Sequence, residues 1–232
     1  MRRIQKYFDF MSRGILVAIG GAESENTLKK LIDLVGNDVK VLLITTATSY
    51  KVDAENKYVD IFSRMGCQVD CIHTENRNEL DMVDNFSKLA DSDVVFFCGG
   101  DQSKISLCLL GTEFLNLMKK KIKKGLVVAG TSAGAMVFSS HMIYGGKNVP
   151  NMSKGLSFLP NIIIDTHFEE RNRITRLSAA VEMDVDRLGI GISEDSAVLI
   201  CGNTISVMGE GNVTLVTTNG HKVLKPGDKF KI

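Results

Sequence analysis

Between residues 15 and 129 the chain alternates short, continuous apolar runs with segments whose apolar residues recur at helical spacing. The runs cover 15–19, 39–44, 67–72, 94–98 and 126–129. The helical patterns between them cover 27–35, 55–65, 80–90, 105–110 and 114–122. A strand that is apolar at every position has to be covered on both faces, which is the condition of a parallel sheet between two layers of helices. Right-handed crossovers then give a doubly wound α/β fold, and such sheets bind ligands beyond the carboxyl ends of their strands. Past residue 189 the pattern changes to short strands at 190–193, 197–201, 204–208, 213–216 and 222–224, with tight turns such as Cys201-Gly202-Asn203 and Asn219-Gly220. These are expected as β-hairpins added to the main sheet, so 1–232 reads as a single α/β domain with a polar lead over 1–13.

Charge adds exclusions. The 28 Lys+Arg against 27 Asp+Glu leave a net charge of +1, which gives no global attraction to nucleic acid or to an acidic membrane surface. No apolar run approaches the roughly 20 residues of a membrane span, and the first residues lack the apolar stretch of a signal peptide. Cys67, Cys71, Cys98, Cys108 and Cys201 are odd in number, lie mostly in apolar runs and form no Cys-x-x-Cys pair. That argues against a zinc ribbon or a redox dithiol and for a reduced, cytoplasmic protein. Cys98, ending an apolar strand, is expected to act as a small hydrophobe.

The strongest chemical signal is Gly130-Thr131-Ser132-Ala133-Gly134, set between the apolar run 126–129 and a helix-compatible run, 135–138. Gly-x-Ser-x-Gly in strand–turn–helix context is a nucleophile elbow, whose sharp turn exposes the serine hydroxyl. The helix start beside it would favour developing negative charge. A serine nucleophile needs a base. Of the four histidines, His73 ends a strand, His141 is expected at the end of the elbow helix, and His221 lies in a terminal hairpin. His167, in Asp165-Thr166-His167-Phe168 just past an apolar strand, is the best base candidate. A carboxylate should orient the imidazole. Asp165, Glu169, Glu170, Glu194 and Asp195 all qualify, and spacing does not choose among them.

For an oxyanion hole, the N–H of Ala133 is one expected donor. The second is Gly100, in the Cys98-Gly99-Gly100-Asp101-Gln102 turn that ends another central strand. Arg171, Arg173 and Arg176 follow His167 closely, with the last two three residues apart on one helix face. Such a cluster is either solvated surface or a grip on a substrate carboxylate.

Taken together, these segments resemble the cyanophycinase and aspartyl-dipeptidase group of serine peptidases, the cyanophycinase branch most closely. The resemblance is carried by Ile19-Gly20-Gly21-Ala22-Glu23, Thr46-Ala47, Cys98-Gly99-Gly100-Asp101-Gln102, Gly130-Thr131-Ser132-Ala133-Gly134-Ala135, Asp165-Thr166-His167-Phe168, Arg171-x-Arg173-x-x-Arg176-Leu177 and Gly189-Ile190-Gly191-Ile192-Ser193-Glu194. It implies a class I glutamine-amidotransferase-like fold with nucleophile Ser132, base His167 and acid Glu194. It puts Asp101, Gln102, Asp165, Thr166, Arg171, Arg173 and Arg176 at positions that line or support the substrate pocket. It also implies no metal or other cofactor, a homodimer, and a peptide or polymer substrate carrying Asp and Arg, since cyanophycinases release β-Asp-Arg dipeptides. The chain departs from the cyanophycinase pattern at Thr166, where Gln is usual, and in reading Ser193-Glu194-Asp195-Ser196 around the acid. The 35 residues from Ser132 to His167 also form a shorter segment.

Two other classes share parts of the pattern. A non-catalytic module binding a small ligand would draw on Gly20-Gly21 alone, without a G-x-G-x-x-G fingerprint or P-loop lysine. An α/β-hydrolase shares the elbow, but its triad runs Ser, acid, His, whereas this chain offers Ser, His, acid.

Overall fold

The computed structural model describes residues 14–183 and 187–232; the polar lead expected over 1–13 lies outside the described residues. The five apolar runs become β1 (Ile15–Ile19), β2 (Lys40–Ile44), β3 (Gln68–Ile72), β4 (Val94–Phe97) and β5 (Val127–Thr131). They pair in parallel in the spatial order β3-β2-β4-β5-β1. Successive side chains leave a strand on opposite faces, and each strand here supplies two cores. Ile15, Val17, Val41, Leu43, Phe96 and Val127 face one layer; Leu16, Ala18, Leu42, Ile44, Phe97 and Val128 face the other.

The first layer is covered by α1 (Glu25–Asp33) and α2 (Lys51–Arg64), through Leu28, Leu31 and Phe62. Ser24 caps α1, its hydroxyl accepting the Thr27 N–H at 3.2 Å. The second layer holds α3 (Arg77–Leu80), α4 (Val83–Asp91), α5 (Gln102–Leu109) and α6 (Glu113–Ile122), which bury Leu80, Leu89, Leu109 and Phe114. Each fully buried side chain of this size contributes about 1.5–3 kcal/mol. The one helix expected over 80–90 is two. The Asp81 carboxylate at the break accepts the Phe114 N–H at 2.9 Å, capping α6 instead of continuing α3.

After β5 comes one short turn of helix, α7 (Ala133–Met136), then a hairpin of β6 (His141–Gly145) and β7 (Asn151–Lys154) that the sequence patterns did not reveal. β8 (Ile162–Thr166) leads through α8 (Ile174–Glu182) to β9 (Leu188–Ile192), its parallel neighbour. The remaining strands are β10 (Ser196–Cys201), β11 (Thr204–Gly209), β12 (Val213–Thr217), β13 (Gly220–Leu224) and β14 (Lys229–Lys231).

The expectation that all these hairpins extend the main sheet needs correction. Only β10, β11 and β14 do so, antiparallel beside β1, making eight strands; β12 and β13 join β9 and β8 in a separate sheet of four. Two glycines of β9 give the physical reason. A Cβ on Gly191 would sit 2.4 Å from the Phe168 ring, and one on Gly189 would sit 2.9 Å from Val181 of α8. Those bare positions let Phe168 and α8 cover the second sheet directly. The chain crosses from one sheet to the other between β9 and β10, at residues 193–195.

The second sheet also encloses a charge. Asp165 of β8 is fully buried and accepts from Arg173 Nη1 at 2.9 Å and from Arg176 through Nε at 2.9 Å and through Nη2. Arg176 reaches on to the Gly146 carbonyl at 3.0 Å, tying α8 to the loop between β6 and β7. Removing one member of a buried ion cluster strands the others. Asp165→Asn is therefore expected to lower stability by about 3 kcal/mol or more, measured by urea unfolding.

Candidate active site

The carboxyl ends of β1, β4 and β5 meet at one cleft. β5 runs two residues further than its apolar pattern, through Thr131, and Ser132 follows with φ +52° and ψ −116°. Gly130 and Gly134 permit this turn: a Cβ on Gly130 would lie 2.2 Å from the Gly134 carbonyl oxygen, and one on Gly134 would lie 2.3 Å from that of Phe97. The structure thus has the elbow shape the pentapeptide predicts. The helix behind it is only four residues long, so the expected charge stabilisation by a helix macrodipole shrinks to the few free N–H groups of its first turn.

Ser132 Oγ lies 2.9 Å from His167 Nε2, and His167 Nδ1 lies 2.6 Å from Glu194 Oε1. A hydroxyl, an imidazole and a carboxylate in that order can pass the serine proton to the ring while the carboxylate stabilises the imidazolium. The other four carboxylates are engaged elsewhere. Asp165 is held by the arginines, Glu169 accepts from Asn212 at 3.1 Å, and Glu170 accepts the backbone N–H of Glu194 at 3.1 Å. Asp195 accepts from the Ser24 N–H at 2.8 Å and the Thr27 hydroxyl at 2.7 Å. Among the other histidines, His73 meets Glu55, His221 lies in β13, and His141 opens β6 instead of closing the elbow helix.

The glycine pair after β1 matters for packing. A Cβ on Gly20 would fall 1.9 Å from the Ser193 carbonyl oxygen, and one on Gly21 would fall 2.3 Å from His167 Cε1. Gly21 leaves the room that the imidazole occupies, which removes the only feature favouring a ligand-binding module. Glu23, two residues on, belongs to the same sequence motif, which predicts no role for it. Its side chain is 2% exposed and accepts from the hydroxyls of Tyr58 and Thr131 and from Lys57 at 3.4 Å. Burial, reinforced by the Glu23 charge, pushes the Tyr58 hydroxyl up, so it stays a donor. Glu23 thereby fixes Thr131, the residue before Ser132. The only hint in the sequence was an acid just past a strand end.

A cavity of about 260 Å³ opens beside Ser132 and His167, with Gly21, Glu23, Lys57 and Gly99 among its walls. Cys98 also borders it; burial pushes its thiol up, which keeps it inert. The Gly99-Gly100 turn abuts the serine, a Cβ on Gly99 falling 3.4 Å from that of Ser132, while Gly100 at φ +142° packs on the Ala47 carbonyl. Asp101 and Gln102, expected at the substrate pocket, have internal partners. Asp101 caps α5 by accepting the Ser103 N–H at 2.8 Å, and the Gln102 amide donates to the Ile143 carbonyl at 2.9 Å.

Asp165 and Thr166 are fully buried, so of lining and supporting only support is open to them; the two flanking arginines and the second sheet cover them. Arg173 holds the Thr166 carbonyl at 2.6 Å, directly before His167. Burial pulls the Arg173 guanidinium below its ordinary value, with Asp165 opposing. Arg171, Arg173, Arg176, Lys147 and Gly146 line a second, basic cavity of about 350 Å³.

Two outcomes test this geometry. Gly21→Ala drives a methyl into the imidazole, and labelling of Ser132 by a fluorophosphonate should slow about 100-fold in a protein that still folds, as mass spectrometry of the labelled chain would register. Asp195 gives a pH signature. Burial opposes its ionisation, but the bonds from Ser24 and Thr27 together outweigh burial and hold its carboxyl below the ordinary 3.8. A depressed folded value means that its stabilisation is complete above 3.8 and is lost as pH falls through that folded value. The cost of Asp195→Asn should therefore be smaller at about pH 3 than at about pH 7, read from urea unfolding at each pH.

The model for Peptidase family S51 matches residues 15–208. A cyanophycinase from Geminocystis herdmanii (strain PCC 6308) is 34% identical over 219 residues, spanning 88% of this chain and 80% of the relative. One from Trichormus variabilis (strain ATCC 29413 / PCC 7937) is 33% identical over 216 residues, spanning 87% of this chain and 72% of the relative. A solved structure of a peptidase from an acI-B1 actinobacterium superposes with a TM-score of 0.78 at 22% identity, covering 94% of this chain and 97% of the other, a likeness of fold. Among the described residues, no helix is long and apolar enough to cross a membrane.

Proposed function

The chain belongs to peptidase family S51 and is a serine peptidase; from that premise we propose that Ser132, His167 and Glu194 form its triad and that it cleaves bonds next to aspartyl residues. Its substrate on this reading is cyanophycin or a related aspartyl- or β-aspartyl-arginine peptide. The observation that carries the proposal is the unbroken relay from Ser132 Oγ to His167 Nε2 at 2.9 Å and from His167 Nδ1 to Glu194 at 2.6 Å.

Ser132 Oγ attacks the scissile carbonyl as its proton moves to His167 Nε2, and Glu194 stabilises the resulting imidazolium. The N–H groups of Ala133 and Gly100 receive the oxyanion. Collapse expels the amine, which takes its proton from His167, and leaves an acyl ester on Ser132. Water, deprotonated by the same imidazole, attacks the ester and restores the serine.

Support for an acidic substrate comes from the basic cavity, which Lys147, Arg171, Arg173 and Arg176 line and where only Arg173 and Arg176 pair with the buried carboxylate of Asp165. The excess of guanidinium suits carboxylates, which arginine can bind through two parallel bonds. Near Ser132, the Glu23–Lys57 pair gives the cleft both signs of charge. The relatives named as cyanophycinases point the same way.

The experiment is incubation with cyanophycin and a panel of aspartyl and β-aspartyl dipeptides, with products identified by mass. Release of β-Asp-Arg is expected, and Ser132→Ala should lose on the order of 10⁴-fold or more in turnover. Substantial turnover by that variant would overturn the nucleophile assignment, and cleavage of none of the panel would overturn the substrate class.

A further inference from the structure

Away from the residues that line the Ser132 cleft, three side chains of metal-binding type converge. Glu55 comes from α2, Cys71 from β3, and His73 from just beyond that strand. Cys71 and His73 are two residues apart and so point to the same side of the extended chain. One ligand atom from each of the three lies within 4.8 Å of the others. We propose that Glu55, Cys71 and His73 bind a thiophilic divalent cation, of which zinc is the representative, and that this cation clamps α2 to the end of β3.

The donor set selects the cation. A thiolate and an imidazole favour zinc, cobalt and cadmium over magnesium and calcium, which prefer oxygen-only shells. Thiolate and carboxylate carry two negative charges together, matching a divalent ion. Three protein ligands leave the fourth tetrahedral position to water.

The second shell is present as well. His73 Nδ1 lies 2.6 Å from the Thr45 hydroxyl at the end of β2, a contact that fixes the ring and directs Nε2 to the cluster. Nε2 lies 2.5 Å from Glu55 Oε2. Zinc sits about 2.0–2.3 Å from such ligands, which sets them roughly 3.5 Å apart, so this pair opens by about 1 Å on binding. Both side chains are about a third exposed, His73 at 32% and Glu55 at 34%, and can make that move.

In the metal-free chain the Cys71 thiol hydrogen-bonds to Glu55. When the metal–sulfur bond forms, the thiol proton passes to solvent. No oxidation or reduction is involved. The consequence reaches the cleft, because α2 also carries Ala54, Lys57 and Tyr58 to the cavity wall. A cation joining α2 to β3 braces that wall from behind.

Cobalt(II) titration of the full chain tests the proposal, since a cobalt–thiolate bond gives a charge-transfer absorption that no structural role for these residues would produce. The expected result is a band that saturates at one equivalent and disappears when zinc is added. Cys71→Ser should abolish it, and Glu55→Gln should weaken cobalt binding about tenfold or more. Zinc should also raise the melting temperature of the unmodified chain and leave that of Cys71→Ser unchanged. No band with cobalt in large excess would overturn the site, and so would a band that survives Cys71→Ser. If Cys71→Ser fails to fold, the Glu55→Gln titration decides: equal affinity overturns the proposal.

Discussion

Three consecutive carbonyls at the end of β1 hold the cleft together. The oxygen of Ile19 receives the N–H of Ser132 at 3.0 Å, that of Gly20 receives the N–H of His167 at 2.8 Å, and that of Gly21 receives the N–H of Asp195 at 2.9 Å. Three segments far apart in the chain, following β5, β8 and β9, are thus docked onto one short stretch of backbone. Backbone hydrogen bonds of this kind fix position without depending on side-chain rotamers. The small residues there are necessary, since a side chain on Gly20 would strike Ser193 and one on Gly21 would strike His167. The geometry between hydroxyl, ring and carboxylate follows from where β1 ends.

That docking is bought with backbone strain. Ser132, His167 and Asp195 have φ of +52°, +47° and +50°, a region that residues with a Cβ rarely occupy. Each such residue costs on the order of 1–3 kcal/mol, and the cost is sustained only where the surroundings over-determine the conformation. Here the surroundings are the parallel strands with their two apolar cores, and the second sheet with its buried Asp165–Arg173–Arg176 cluster. The strain and the rigidity that carries it belong to one arrangement, in which the groups are positioned before any substrate arrives.

Much of this was legible in the sequence because its signals are local. Continuous apolar runs marked the five parallel strands, and the glycines around Ser132 marked a turn that only they permit. Elements defined by distant pairing were not legible. The division of the C-terminal strands between two sheets depends on Phe168 and α8 lying over Gly189 and Gly191, and the β6–β7 hairpin carries no strong alternation. Among five carboxylates, spacing could not show that Glu194 is the one beside His167, because the partners that hold the others, such as Ser24 for Asp195, lie up to 171 residues away. The arginines read as possible contacts with a substrate; two of them turn inward to Asp165, and only the fold shows which charge they satisfy first.

The crossing between sheets at residues 193–195 has a consequence for when the site comes into being. β1 emerges from the ribosome first, whereas Glu194 and the strands that anchor it emerge near the end of synthesis. Until β9 and β10 have paired, no carboxylate meets the imidazole and the third carbonyl of the β1 end has no guest. A chain in which that pairing has not formed therefore holds Ser132 and His167 without the contact to Glu194.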